Sequence, residues 1–285
     1  MSEVELENVY ESWIGREEVH TARIEAGAVR AMAATLDLDA APTPGEALPP
    51  GWQWLFFNPA VRRSGLGADG HPQRGGFLPP IALPRRMWAG SRIRYLQSVP
   101  VDASATRTSR ILKVEKKAGK RGTLWFVTVG HVTSCDGLPC IEEEQDIVYR
   151  EAAPPGGANA AAPAVYEAQA QWRRDCRADS TLLFRYSALT FNGHRIHYDE
   201  TYARDEEGYP GLVVHGPLTA TLLQQFAVEH GGGRRLARFD FRGVSPLFVD
   251  RAFSLEGRAA AEGGLDLWAR GAQGELAMSA TAVFA

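Results

Sequence analysis

The densest run of chemically capable side chains lies between Asn192 and Pro217. Asn192-Gly193-His194-Arg195-Ile196-His197 sets an amide and an imidazole five positions apart, and Leu212-Val213-Val214-His215-Gly216-Pro217 follows. An imidazole can take and return a proton near neutral pH. An amide oxygen can hold a water but cannot itself take that proton. Gly216 before Pro217 reads as the opening of a helix, where the first N–H groups lack intrahelical acceptors and can receive an anionic oxygen. Glycine also lets a ligand approach the backbone closely. His197 as base, Asn192 as water holder and Gly216 as oxyanion donor together offer general acid–base chemistry beside a site for an anionic oxygen.

Arg195, beside His197, offers a fork that pairs with a carboxylate through two hydrogen bonds. Pairing with Asp199, which would only fix the loop, is the other reading, and the sequence holds the two level. Arg242 in Asp240-Phe241-Arg242-Gly243 is a second substrate-binding candidate. His215 divides between fixing the helix start and touching substrate. His194 has no assigned role, and the isolated His20, His71, His131 and His230 read as surface or satisfied core residues. Tyr186, Ser187 and Thr190 read as packing and turn residues. Asp199 and Glu200, the carboxylates nearest Asn192 in sequence, read as a solvated face.

The remaining composition excludes much. The 285 residues carry 31 Lys+Arg against 34 Asp+Glu, a net charge of −3, so phosphate-backbone binding and a nucleic-acid partner are not expected. No apolar run approaches the roughly 20 residues of a bilayer span. The acidic start, with Glu3, Glu5 and Glu7, is unlike a secretory leader. Cys135, Cys140 and Cys176 lack CxxC spacing, so no metal is expected and a reducing cytoplasm is the simplest location. No GxSxG or Walker pattern supports acyl transfer or phosphoryl chemistry, and Gly231-Gly232-Gly233 reads as a helix stop.

Residues 151–165 are Ala/Pro/Gly-rich without hydrophobic period and read as a linker between a first half, 1–150, and a second, 166–285. Each half ends in period-two sequence. Leu276, Met278, Ala280, Ala282 and Phe284 mark one buried strand face, with Leu265, Leu267 and Ala269 before them. Residues 123–133 and 140–150 flank the Asp136-Gly137 turn. The starts correspond as well, with Ala34-Thr35-Leu36-Asp37 set against Leu189-Thr190-Phe191-Asn192. Leu218, Leu222, Leu223 and Phe226 predict a core-facing helix after Pro217. In the first half Pro79, Pro80 and Pro84 interrupt the counterpart.

Residues 184–199 with His215-Gly216 resemble the MaoC-like, (R)-specific enoyl-thioester hydratases and dehydratases. In their motif an Asp stands where Asn192 is, a Pro where Arg195 is and a His where His197 is. The resemblance implies an α+β double hotdog, two antiparallel sheets each wrapping a helix, with the N-terminal helix degenerate. It also implies catalysis by Asn192 and His197 in the second half, a non-catalytic first half, and no cofactor beyond the coenzyme A carried by the substrate. The longer string Phe184–Glu200, with Met87–Gly90 and Gln145–Arg150, is similar to a double-hotdog subfamily acting on mesaconyl-C4-CoA or itaconyl-CoA. The resemblance therefore implies reversible hydration of a short, branched, dicarboxylic enoyl-CoA. The alternatives are dehydration of 3-hydroxyacyl thioesters in fatty-acid metabolism, or a silent thioester-binding protein. Arg62, Arg63, Arg74, Arg85, Arg86, Arg92 and Arg94 are the expected basic groups for coenzyme phosphates. A double chain can satisfy hotdog pairing internally, which leaves monomer and homodimer both open.

Overall fold

Side chains that alternate in burial lay down ten strands, and a computed structural model describes them within residues 3–119, 122–151 and 164–285. The order is α1 (Glu3–Glu11), β1 (Glu17–Arg23), α2 (Ala26–Thr35), β2 (Arg85–Tyr95), β3 (Ser104–Gly119), β4 (Gly122–Cys135) and β5 (Leu138–Arg150). Then come β6 (Trp172–Arg177), α3 (Ser180–Leu189), α4 (Glu200–Asp205), α5 (Gly216–His230), β7 (Leu236–Gly243), β8 (Ala252–Ala259), β9 (Leu265–Arg270) and β10 (Leu276–Phe284). Most of the expected linker, residues 152–163, lies outside the described residues.

The strands form one antiparallel sheet in the order β1-β3-β4-β5-β2-β7-β10-β9-β8-β6. Read outward from the β2–β7 junction, both halves repeat one pattern: the second strand, the fifth, the fourth, the third and the first. This is the double-hotdog architecture. At the β4–β5 hairpin Asp136 and Gly137 both take positive φ, 50° and 77°, the geometry a two-residue turn needs to match strand twist. In β10, Met278, Ala280 and Ala282 face inward as the alternation requires. Trp268, set among the polar alternates of β9, is also buried, because its indole N–H donates to Glu256 at 2.7 Å.

The repeat is real but its register is one residue off the sequence correspondence. α2 and α3 end at Thr35 and Leu189, and the left-handed residue that follows is Asp37 in one half and Phe191 in the other. Asn192 therefore answers to Leu38, not to Asp37. Matching short motifs by residue type favoured the chemically similar pair over the structurally equivalent one.

α5 begins with Pro217 in its first turn and buries Leu218, Leu223, Phe226 and Ala227 against the inner sheet face. Its buried surface is wider than a single apolar stripe, since Thr219, Thr221 and Gln224 are also buried. The reason lies in the first half. No helix forms in 75–84; instead a 3₁₀ turn at Trp52–Leu55 packs its indoles into the same core. Gly51 at its start has φ 84°, and a Cβ there would stand 2.7 Å from the Gln224 amide nitrogen. The Gly51 N–H donates to the Tyr95 hydroxyl at 3.0 Å, which in turn donates to Gln224. α5 is thus wrapped from both halves.

Candidate active site

The motif loop follows α3. The Asn192 N–H donates to the Ser187 carbonyl at 2.8 Å, and its side-chain oxygen accepts the His194 N–H at 3.0 Å. That oxygen keeps a second lone pair. A short 3₁₀ turn, Arg195–His197, then delivers His197 to the interior at 7% exposure. The His197 Nδ1 lies 2.7 Å from the Val213 carbonyl. A carbonyl only accepts, so Nδ1 carries the hydrogen and Nε2 presents a bare lone pair. Burial pushes the His197 pKa down to about 3, with His194 and His71 adding to the shift, so the resting ring is neutral.

His215, the residue before α5, is fully buried and stacks on His197 with ring centroids 3.7 Å apart. Its Nε2 meets the Ser187 hydroxyl at 2.8 Å, and its Nδ1 has no partner. Ser187 is therefore part of the site's support, which the sequence did not reveal. His215 stands behind His197 as a buried backing ring. Gly216 opens α5 immediately beside it, and a Cβ there would point into open space apart from its own stretch of chain. Space beside a helix start gives an anionic oxygen room to meet the first free N–H groups.

The two arginine candidates part company. Arg195 closes its fork on Asp199, with Nε and Nη2 at 3.0 and 2.7 Å from one carboxylate oxygen. It also donates to the Ala68 carbonyl and lies over the Tyr202 ring. Asp199 in turn caps α4 through the Tyr202 N–H. Glu200 pairs with Arg204 at the surface. Arg242 is not brought to the site. Phe239 and Phe241 face the core, so strand alternation turns Arg242 to the outer face, beside Arg92 and Asp240 in a shallow depression.

Sequence reasoning missed the contribution of the first half. The loop 66–72 is tied by the Gly67 N–H to the His71 carbonyl, 2.7 Å, and docks backbone to backbone on the motif loop. The Arg195 N–H donates to the Asp69 carbonyl at 2.9 Å. A Cβ on Gly70 would fall 1.9 Å from the Gly193 carbonyl oxygen. This docking sets the His71 ring 4.1 Å from that of His194, which is 5.4 Å from His197. His71 Nδ1 hydrogen-bonds Asp69 at 3.0 Å, and Asp69 also accepts the His71 N–H. Polar atoms of Asp69, His71 and His194 converge within 4.8 Å, a grouping that no sequence spacing displays. Asp69 sits well below the usual carboxylate range, held there by His71 against the opposing cost of its burial. The only local signal was an Asp two residues before a His in a glycine-flanked turn.

Of the basic groups, Arg74 donates to the Ile81 and Pro84 carbonyls and Arg85 pairs with Glu207. Arg92 pairs with Glu144 and Asp146, and Arg94 with Glu142. Arg62 and Arg63 are exposed beside the 66–72 loop and form no ion pair with another of the described residues. Among the described residues no helix is long and apolar enough to cross a membrane.

Comparison with known proteins accords with this geometry. The chain is 48% identical over 273 residues to the mesaconyl-C(4)-CoA hydratase of Chloroflexus aurantiacus, covering 95% of this chain and 96% of that one. It is 26% identical to the mitochondrial hydroxyacyl-thioester dehydratase type 2 of Schizosaccharomyces pombe, over 72% of this chain and 76% of that one. A solved MaoC-like dehydratase superposes with a TM-score of 0.72 at 15% identity, covering 96% of this chain and 99% of that one. A Mycobacterium tuberculosis protein described as a double hotdog superposes at 0.57 and 14% identity, over 96% and 97% of the two chains. The family model for hydroxyacyl-thioester dehydratase type 2 matches residues 51–249, so the chain belongs to this family of MaoC-like double-hotdog hydro-lyases.

Proposed function

We propose that the chain reversibly hydrates a short, branched, dicarboxylic enoyl-CoA of the mesaconyl-C4-CoA or itaconyl-CoA type. One observation carries the chemistry. His197 presents a bare Nε2 from a ring fixed by Val213 and backed by His215, next to the open start of α5. In the forward direction His197 takes a proton from water as the oxygen bonds to the β-carbon. The π electrons move onto the thioester oxygen, received by the Gly216 N–H. Collapse of that enolate takes a proton at the α-carbon. Asn192 orients the water through the lone pair that His194 leaves free. The similarity to a mesaconyl-C(4)-CoA hydratase over nearly the whole chain supports the substrate class.

The family match and the similarity to a hydroxyacyl-thioester dehydratase favour a second reading, dehydration of 3-hydroxyacyl thioesters. The loss of enoyl-thioester absorbance separates the two when followed with mesaconyl-C4-CoA, itaconyl-CoA and crotonyl-CoA. The first reading expects kcat/KM at least about tenfold higher on a dicarboxylic substrate, about 1.4 kcal/mol of discrimination. A preference for crotonyl-CoA or longer unbranched chains overturns it. Arg62 and Arg63 supply the coenzyme end: Arg62→Ala/Arg63→Ala raises KM severalfold with kcat kept. An unchanged KM removes them from the site.

A further inference from the structure

Asn192 leaves the site without the carboxylate of the motif that this loop resembles, and His197 alone is a poorly placed proton store. It is buried, and the charge it would gain has no carboxylate against it on its own loop, because Asp199 is spent on Arg195 and the α4 cap. The carboxylate that the structure does bring to this spot comes from the other half. We propose that Asp69 and His71, working through His194, form the second acid–base unit of the hydration site, replacing the function that Asn192 cannot perform. The inference rests on the hydratase reading above.

The geometry runs as a row of imidazoles ending on an anion. Asp69 accepts a hydrogen bond from His71 Nδ1 at 3.0 Å, so His71 Nε2 is bare, as is that of His197. His194 stands between them, its ring 4.1 Å from one and 5.4 Å from the other. His71 and Asp69 are about three-quarters buried, with side-chain exposures of 23% and 26%, so the far end of the row still meets solvent while His197 does not. Asp69 is anionic throughout the working range. As water adds, its O–H bond breaks, its oxygen bonds to the β-carbon and the proton arrives on His197. It passes to His71, whose imidazolium is paired with Asp69, once the His194 ring turns its two nitrogens between its neighbours. In the resting structure that ring touches both neighbouring rings without a hydrogen bond to either. The same proton returns by the same route to the α-carbon as the enolate collapses. Water is the only co-reactant, and the row ends neutral apart from Asp69. His71 and Asp69 are positioning and relay residues, not groups in contact with the double bond.

Two arginines face His71, Arg74 and Arg86, and both oppose its protonation, while Asp69 favours it. His194 faces His71, Asp69, Arg86 and His215. The row is therefore balanced so that a proton is held only transiently.

The test uses the full chain. His71→Ala and Asp69→Asn each lower kcat by about 10- to 100-fold at pH 7, within the span of general acid–base effects, while KM stays within about twofold. Added imidazole restores part of the kcat of His71→Ala, which repair of a merely structural defect would not do. His71→Asn, which fills the space, stays as slow as His71→Ala and melts like the wild type. Wild-type kcat in both His71 variants overturns the inference, as does loss of kcat without imidazole rescue. Failure of the wild type on every enoyl-CoA is a different result and defeats the hydratase reading itself. A divalent metal that copurifies with the wild type, is lost from His71→Ala and whose chelation stops turnover also overturns the relay.

Discussion

At the scale of single residues the site is a set of buried imidazoles, of which His197 carries its hydrogen on Nδ1 and presents Nε2 bare. His197 is oriented by Val213, backed by His215 and flanked by His194. Arg195 was legible as chemically important, but its partner was not, because a guanidinium in a loop can serve a ligand or its own chain. With its fork closed on Asp199, Arg195→Ala acts by loosening the loop. It reduces kcat/KM on mesaconyl-C4-CoA and on crotonyl-CoA by the same factor. A loss at least tenfold greater on the dicarboxylic substrate would show instead that the guanidinium leaves Asp199 for the substrate.

At the scale of elements, two loops from distant parts of the chain make one working surface. The 66–72 loop meets the motif loop through Gly70 and Gly193, where neither can carry a side chain without displacing the other. Gly70 also has φ 86°, strained for any L-residue by about 1–2 kcal/mol before the overlap is counted. Gly70→Ala therefore lowers the melting temperature and cuts kcat together, because His71 moves with its loop. A variant as stable and as active as wild type would show that the loops are not in contact. The strand meanders, α5 and the His197 loop could be read from the sequence because their signals are local: period-two burial, a Pro at a helix start, a motif within one turn. The role of His71 could not. The ring it meets, His194, lies in the other half, and an Asp two residues before a His does not by itself distinguish a docked imidazole from one at the surface.

For the whole molecule, one continuous sheet joins the halves and encloses a core rich in uncharged histidine. Burial pushes His131 down to about 4 and both His194 and His197 to about 3, and His215 lies well below its ordinary value. Their unfolded values are near 6.5, so below that pH the unfolded chain binds protons that the folded chain refuses. The stability these rings contribute is whole above pH 6.5 and is lost as pH falls toward 3–4. Each ring costs up to about 1.4 kcal/mol per pH unit within that window. Between pH 7 and 5 ordinary carboxylates have scarcely begun to titrate, but burial raises Glu143 and Glu207, which gain stability as pH falls. Denaturant unfolding over that range in a Glu143→Gln/Glu207→Gln background therefore isolates the histidines. A flat stability profile there would mean these rings are solvated.

The central claim is that one imidazole, His197, moves the proton in a site completed by both halves. Its most direct measurement is turnover of the best enoyl-CoA substrate by wild type and by His197→Ala, with matched near-ultraviolet circular dichroism. The account predicts a folded variant with kcat lowered by about 100-fold or more. A folded His197→Ala enzyme that hydrates at the wild-type rate would contradict it.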